Sequence, residues 1–235
     1  MATERNPPVE EDAEVRRIRA AYDVRDGRPA RHPAIAEAYR LVNADRLARM
    51  RSTIERVAGD RPRILDVGCG GGFDLAYWLS LGWPPERLAG VDLVERRIAA
   101  AADRCPGVDL RLTSGSELPF EADSFDVATA VTVFSSVLDP AVRRRLFAEM
   151  RRVARPGGSI LVYDFVIRNP RNPDIVAMTR RRLLDMGGPP LESVRMTPVI
   201  HLVALASRFG PRATDVAMRF APRTHRLSRW LVSEG

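Results

Sequence analysis

The 235-residue chain contains no lysine: all 37 of its basic residues are arginine, against 30 acids, for a net charge of +7. An anionic or nucleic-acid partner is one reading of that excess. Codon usage in a GC-rich genome is the other, and the arginines favour it because they are spread along helices rather than massed in one run. The densest clusters, Arg143-Arg144-Arg145 and Arg180-Arg181-Arg182, read as solvated helix faces. Cysteine is equally scarce. Cys69 and Cys105 form no C-x-x-C pair, which removes the zinc signal and suits a reducing cytoplasm. No apolar run approaches bilayer length, so no membrane span is expected. Met1 to Glu14 is polar and acidic, unlike a secretory leader, and is expected to fray. There is no internal repeat and no low-complexity tract.

What is present is a soluble, globular composition, 45% hydrophobic and 29% charged, long enough for one domain with a substantial core. Its most informative stretch is Ile64-Leu65-Asp66-Val67-Gly68-Cys69-Gly70-Gly71-Gly72. An apolar strand runs into a glycine cluster, and an amphipathic helix follows. Gly68 and Gly70 permit a tight turn, and Gly72 permits close contact at the helix start. Backbone N–H groups and a helix N-terminus can then approach a polar ligand. Twenty residues later a second apolar strand ends in Asp92, the spacing at which a carboxylate receives a ribose diol. A nucleoside-containing cofactor is therefore expected. Phe73 fills the place of the third glycine in the dinucleotide pattern G-x-G-x-x-G.

Periodicity places helices at 15–26 and 33–58, across the mouth of the cofactor cleft, with a loop signal at Asp26-Gly27-Arg28-Pro29 between them. Strands and helices then alternate: strand 63–67, helix 73–82, strand 88–92, helix 94–104, strand 108–112, strand 125–131, helix 140–154 and strand 158–166. That alternation predicts a parallel sheet with helices on both faces and ligand loops at the strands' C-terminal ends. A helix over 174–186, a strand over 193–199, helices over 201–209 and 212–220 and a last strand over 224–232 complete the chain. The organisation is one globular domain: a helical segment 1–58 over the cleft, then 59–235, with a core of 60–168 and added elements from 169 to 235.

Three further segments narrow the cofactor. Leu118-Pro119-Phe120 leads through Ser124-Phe125-Asp126-Val127 into a strand ending near Val131, and Arg155-Pro156-Gly157-Gly158 turns a helix into the strand ending at Phe165. In order and spacing, residues 60 to 168 resemble the class I S-adenosylmethionine-dependent methyltransferases. Thr132 to Asp139, Tyr163-Asp164-Phe165, Asn169-Pro170-Arg171-Asn172-Pro173 and Arg223-Thr224-His225 extend the likeness to a branch of small bacterial methyltransferases of uncharacterised substrate. The resemblance implies an α/β, doubly wound, Rossmann-like sheet of seven mostly parallel strands with an antiparallel last strand. It implies S-adenosylmethionine as cofactor and S-adenosylhomocysteine as product.

On that resemblance, Gly68, Gly70 and Gly72 approach the methionine part of the cofactor. Asp66 accepts from its ammonium, or else braces the loop. Asp92 takes both ribose hydroxyls, Leu93 packs on the adenine, and Val131 offers its carbonyl to the ammonium. Ser114, with Gly115 beside it, stands where many relatives carry an Asp for the adenine amine; Glu117 or a backbone N–H is the rival.

A sulfonium is a good leaving group, so positioning suffices and no catalytic residue is fixed. Asp139, Asp164, His201 and His225 are candidate bases for a hydroxyl acceptor, with His32 the remaining histidine. Relatives often carry a histidine where Ser135 or Ser136 stands. Asp139 has no obvious carboxylate partner, and no metal is expected. Tyr22, Tyr39, Phe134, Phe165 and Arg168 are candidates for the acceptor pocket. The expected function is methyl transfer by in-line displacement to an oxygen or nitrogen of a small molecule, as in natural-product biosynthesis, in the cytoplasm. The alternatives are an RNA methyltransferase and a non-catalytic cofactor-binding scaffold. Base chemistry is disfavoured because no Asn/Asp-Pro-Pro-aromatic tetrapeptide follows strand four.

Overall fold

The computed structural model describes residues 13–26, 32–115, 117–168 and 172–233. The fraying expected before Ala13, most of the loop at 26–29 and the Asn169-Pro170-Arg171 stretch lie outside the described residues. Seven strands form one sheet: β1 (Ile64–Val67), β2 (Leu88–Asp92), β3 (Asp109–Leu112), β4 (Phe125–Val131), β5 (Ala154–Phe165), β6 (Glu192–Pro198) and β7 (Arg223–Leu231). Their spatial order is β3-β2-β1-β4-β5-β7-β6. β1 to β5 run parallel, while β7 pairs antiparallel with both β5 and β6. The reversal therefore resides in β7, and β6 runs with the first five strands.

The side-chain alternation of β1 explains the layering. Leu65 and Val67 face one core, built with α5 (Pro140–Val153) through Leu146, Phe147 and Met150, and with α6 (Arg180–Gly187) through Leu183 and Met186. Ile64 faces the other, built with α2 (Pro33–Ala58) through Met50 and Ile54, and with α3 (Phe73–Ser80) through Leu75 and Trp78. α1 (Ala13–Asp26) lies at the end of the sheet where the glycine loop emerges, α4 (Glu95–Arg104) packs along β2 and β3 beside α3, and α7 (Ile200–Ala206) and α8 (Pro211–Phe220) join β6 to β7.

Three expectations change. The helix placed at 174–186 begins only at Arg180, capped by the Thr179 hydroxyl. The amides of Val176 and Met178 donate instead to the carbonyls of Ser135 and Phe165, at 2.8 and 2.7 Å, so this segment lies extended along the sheet end. The turn expected at Pro156-Gly157-Gly158 falls within β5, where Gly157 donates to Val232 and Gly158 accepts from it, both at 2.9 Å. Arg143 is buried rather than solvated, and its guanidinium donates to the carbonyls of Val137 and Leu138.

Asp139 also has a structural post. Its carboxylate caps α5, accepting from the amides of Ala141 at 2.6 Å and Val142 at 3.4 Å, directly before Pro140 at the first helical position. Asp139→Ala is expected to cost about 1 kcal/mol of stability, the usual value of an N-cap, with cofactor affinity unchanged. Chemical denaturation read beside a cofactor titration checks both halves.

Candidate functional site

The C-terminal ends of β1 and β2 build the site. Gly68 sits at φ 72°, in the left-handed region, and a Cβ there would lie 2.5 Å from Val133 Cγ2. Only glycine lets the turn nest against the residue that follows β4. The turn is then tied to β2: the amides of Gly68 and Cys69 donate to the Val91 carbonyl, and the Gly70 amide donates to Asp92 Oδ2 at 2.9 Å. Asp92 Oδ1 accepts from the Val94 amide, also at 2.9 Å. Burial raises the Asp92 pKa above its ordinary value, and these two amides oppose the rise.

Beside Asp92 opens a cleft of about 620 Å³, part of it open to solvent. Its polar rim holds Gly68, Asp92, Thr113 and Ser136. Val15, Ile18 and Tyr22 of α1 close one side; Leu93, Gly115, Leu118 and Val133 line another. α1 is pinned in place by Glu14, which accepts from the amides of Leu138 and Asp139, and by Arg17, which donates to the Ser136 carbonyl. A second cavity of about 360 Å³ adjoins it, sharing Ile18, Tyr22 and Ser136 and bounded by Arg17, Arg25, Asn172 and Asp174.

Of the sequence candidates, Gly68, Asp92, Leu93, Gly115 and Tyr22 come together around the first cavity. Tyr22 is held by its hydroxyl, 3.3 Å from Ser136 Oγ, and by the Arg97 guanidinium 4.0 Å over its ring. Gly70 reaches the site through its amide alone. Gly72 caps α3 and packs against Ala101 and Cys105 of the α4 region. Ser114 is exposed, and its neighbour Thr113 is the one in the wall, where its hydroxyl donates to the Glu117 carbonyl. Just past the last residue of β3 it is therefore the neighbouring hydroxyl that turns inward. Phe134 is not a pocket residue: it is fully buried, 6.3 Å from the Phe147 ring in the core. Arg168 is exposed on the loop after β5, and Tyr39 is 44% exposed on α2. Val131 packs against the core on the α2–α3 side. His32 caps α2.

Asp66 turns away from this cavity toward α2 and α3. It is buried, accepts from Thr129 Oγ1 at 3.1 Å, and has its pKa pushed up by burial and by the nearby Asp74 carboxylate. Asp74 is held by Arg46, which donates to both of its oxygens at 2.7 Å. Arg46 is only 5% exposed and lies on the buried stripe of α2, which is otherwise Ala38, Val42, Met50 and Ile54. Burial opposes its charge, yet the Asp74 contact outweighs that and holds its pKa above the ordinary value.

The remaining candidate bases do not line the cavities. His201 is exposed at the start of α7. Asp164 is buried beneath the loop after β4, accepting from the amides of Ser135 and Phe165 at 2.8 Å each; burial pushes its pKa up to about 6. His225 stacks on Tyr163 with ring centroids 4.8 Å apart and lies 4.1 Å from the Phe165 ring. Burial, reinforced by the Arg46 charge, lowers its pKa to about 4 from 6.5. A depressed histidine contributes stability that is present above about pH 6.5 and lost as the pH falls through about 4. His225→Phe, which keeps a stacked ring, should therefore lose less stability than the parent between pH 7 and about 4.5. Urea denaturation across that range measures it; parallel losses would remove His225 as the cause. Among the described residues, no group of three His, Cys, Asp or Glu side chains could hold a metal ion. Among the described residues, no helix is long and apolar enough to cross a membrane.

A glycine turn after the first strand, a braced carboxylate at the end of the second and an apolar slot between them define a Rossmann-like fold whose crevice has the chemistry to receive a nucleoside. Comparison with known proteins assigns the class. Residues 65–162 match the methyltransferase domain family. A ubiquinone biosynthesis O-methyltransferase of Hahella chejuensis is 36% identical over 123 residues, covering 50% of this chain and 49% of the relative. A ubiquinone/menaquinone biosynthesis C-methyltransferase UbiE of Syntrophotalea carbinolica is 31% identical over 170 residues, covering 67% of this chain and 69% of the relative. The crystal structure of an S-adenosylmethionine-dependent methyltransferase from Mesorhizobium loti shares the fold, with a TM-score of 0.54 at 20% identity over 77% of this chain and 95% of that one. The chain belongs to the class I S-adenosylmethionine-dependent methyltransferases. It spans about half the length of the Hahella relative.

Proposed function

We propose that this protein transfers a methyl group from S-adenosylmethionine to an oxygen or nitrogen of a small molecule, such as a secondary metabolite, a sugar or a lipid-linked precursor. The observation that carries this reading is the Asp92 carboxylate, fixed by two backbone amides at the rim of the 620 Å³ cavity. A carboxylate offers about four acceptor sites, so two remain for a ribose diol. Leu93, Thr113, Gly115 and Leu118 would flank the adenine, and the main chain at Gly68, where a Cβ has no room, would approach the methionine part. Bound there, the cofactor supplies a methyl group already activated on a sulfonium.

The acceptor would enter beside Tyr22 and Ser136, where the second cavity adjoins the first. No histidine lines either cavity among the described residues. The rate then rests on holding the acceptor in line, which supplies roughly 7–11 kcal/mol in well-oriented reactions. A carbon acceptor is the second reading, favoured by the UbiE relative, whose match covers the larger share of the chain. Nucleic acid is the weaker partner, because many arginines are already ion-paired, among them Arg17, Arg46, Arg56, Arg144 and Arg152.

Calorimetry with S-adenosylmethionine and S-adenosylhomocysteine tests the reading first. Saturable binding of both supports it; failure to bind at millimolar cofactor would overturn it and favour a scaffold that has kept the fold alone. Labelled methyl transfer onto sugars, phenols and quinols, with mass spectrometry of the product, then separates oxygen, nitrogen and carbon acceptors.

A further inference from the structure

The connection from β6 to β7 places α7, one short 3-10 turn at Ser207–Phe209 and α8 at the C-terminal end of β6. β6 runs with β1 and β2, so this is the end of the sheet that carries the glycine turn and Asp92. β7 returns from it at the end of β5, where His225 pairs with Phe165. Inward residues of the two helices, Val203, Ala204, Ala217 and Met218, pack with Ala38 and Val42 of α2. The outward residues have the opposite character to that expected of a solvated face. Leu202, Leu205 and Phe209 recur at helical spacing and are 41%, 53% and 77% exposed; Val216 and Phe220 on α8 are 57% and 72% exposed. Interleaved with them are Arg208, Arg212 and Arg219, all exposed, and Arg223 at the start of β7. The guanidinium of Arg219 lies 5.4 Å from the centre of the Phe220 ring. Asp215 is the sole acid between Ile200 and Arg223.

We propose that this outward face of α7 and α8 docks on an anionic lipid bilayer, setting the cofactor end of the sheet toward lipid. Exposed aliphatic and aromatic side chains between arginines suit the headgroup boundary, where apolar groups enter the acyl region and cations meet anionic headgroups. The charge pattern disfavours the other occupants. A two-fold contact between copies of this face would set its four arginines against their own like charges. Nucleic acid would meet the arginines and find rings at Phe209 and Phe220, but the other three exposed apolar side chains, Leu202, Leu205 and Val216, offer its bases no stacking surface. The inference rests on the proposed function only for what the bilayer would present, a lipid-linked acceptor within reach of the cleft.

The full chain is sedimented with vesicles of phosphatidylcholine, alone or mixed with phosphatidylglycerol. Binding to the mixed vesicles, weakened by salt and absent from the neutral ones, is the expected result. Phe209→Ser with Phe220→Ser is expected to lower the bound partition about tenfold or more, with melting temperature and S-adenosylmethionine affinity unchanged. Arg212→Ser with Arg219→Ser should lower it about tenfold as well. No vesicle binding, or equal binding by the phenylalanine variant, overturns the proposal. So does a dimer in sedimentation velocity that the phenylalanine variant dissolves, or RNA retention that the arginine variant abolishes without vesicle binding by the parent. Cofactor calorimetry on the same samples reports on the methyltransferase reading separately, since a protein that binds S-adenosylmethionine and ignores vesicles loses only the docking surface.

Discussion

Asp92→Ala is expected to weaken S-adenosylmethionine binding by about 1.5–3 kcal/mol, the range for hydrogen bonds to a charged group, or roughly tenfold to 150-fold in dissociation constant. The carboxylate has two tasks, and both are lost. It would accept the ribose hydroxyls, and it already accepts from the amides of Gly70 and Val94. Without it the glycine turn loses a tie to β2, so some loss of stability accompanies the loss of affinity. Isothermal calorimetry gives the first quantity and denaturant unfolding the second. An unchanged dissociation constant in a folded variant would remove Asp92 from the cofactor site.

Arg46→Ala should have the largest effect on stability, about 3–5 kcal/mol, because it strands a partner carboxylate in a buried pair. Asp74 would lose both 2.7 Å contacts while Asp66, itself buried, lies close enough to raise the cost of its charge. The loss should shrink as the pH falls, since protonation of Asp66, whose pKa burial and the Asp74 charge hold up, relieves the repulsion. Replacing both partners, Arg46→Met with Asp74→Leu, should recover much of the loss, as apolar substitutes of similar volume often do. Thermal melts of the single and double variants across acidic pH distinguish this account from simple loss of packing, which would be independent of pH.

The centre of the sheet was legible because β1, β2 and β4 are short apolar runs bounded by glycine, proline and acids, and because strand and helix alternate through β1, β2 and β3 and again between β4 and β5. The crevice was legible because Gly68 and Asp92 are set by backbone requirements that few residues meet. What resisted reading depends on which way a side chain turns. Arg46 occupies a position on α2 where periodicity alone asks for an apolar residue. Thr113 and Ser114 are both hydroxyls, and only the twist of the chain after β3 selects the first. Phe134 follows a strand as a pocket residue might, yet the 3-10 turn it opens directs it into the core. Asp139 before a proline fits a helix cap as well as a base, and the cap is what the chain uses it for. Residues 174–179 carry no breaker that forbids a helix; the amides of Val176 and Met178 are drawn to Ser135 and Phe165, which lie far away in sequence or across a strand.

β1 is only four residues long, and its neighbours in the sheet hold it on both sides. Asp66 faces the charge of Arg46 and Asp74 on one surface of the sheet while Leu65 and Val67 fill the other. Adding or deleting a single residue within that strand would invert this arrangement, sending a carboxylate into the aliphatic layer and displacing the loop that must meet Asp92. Natural length variation in this protein is therefore expected between its elements, never inside this one.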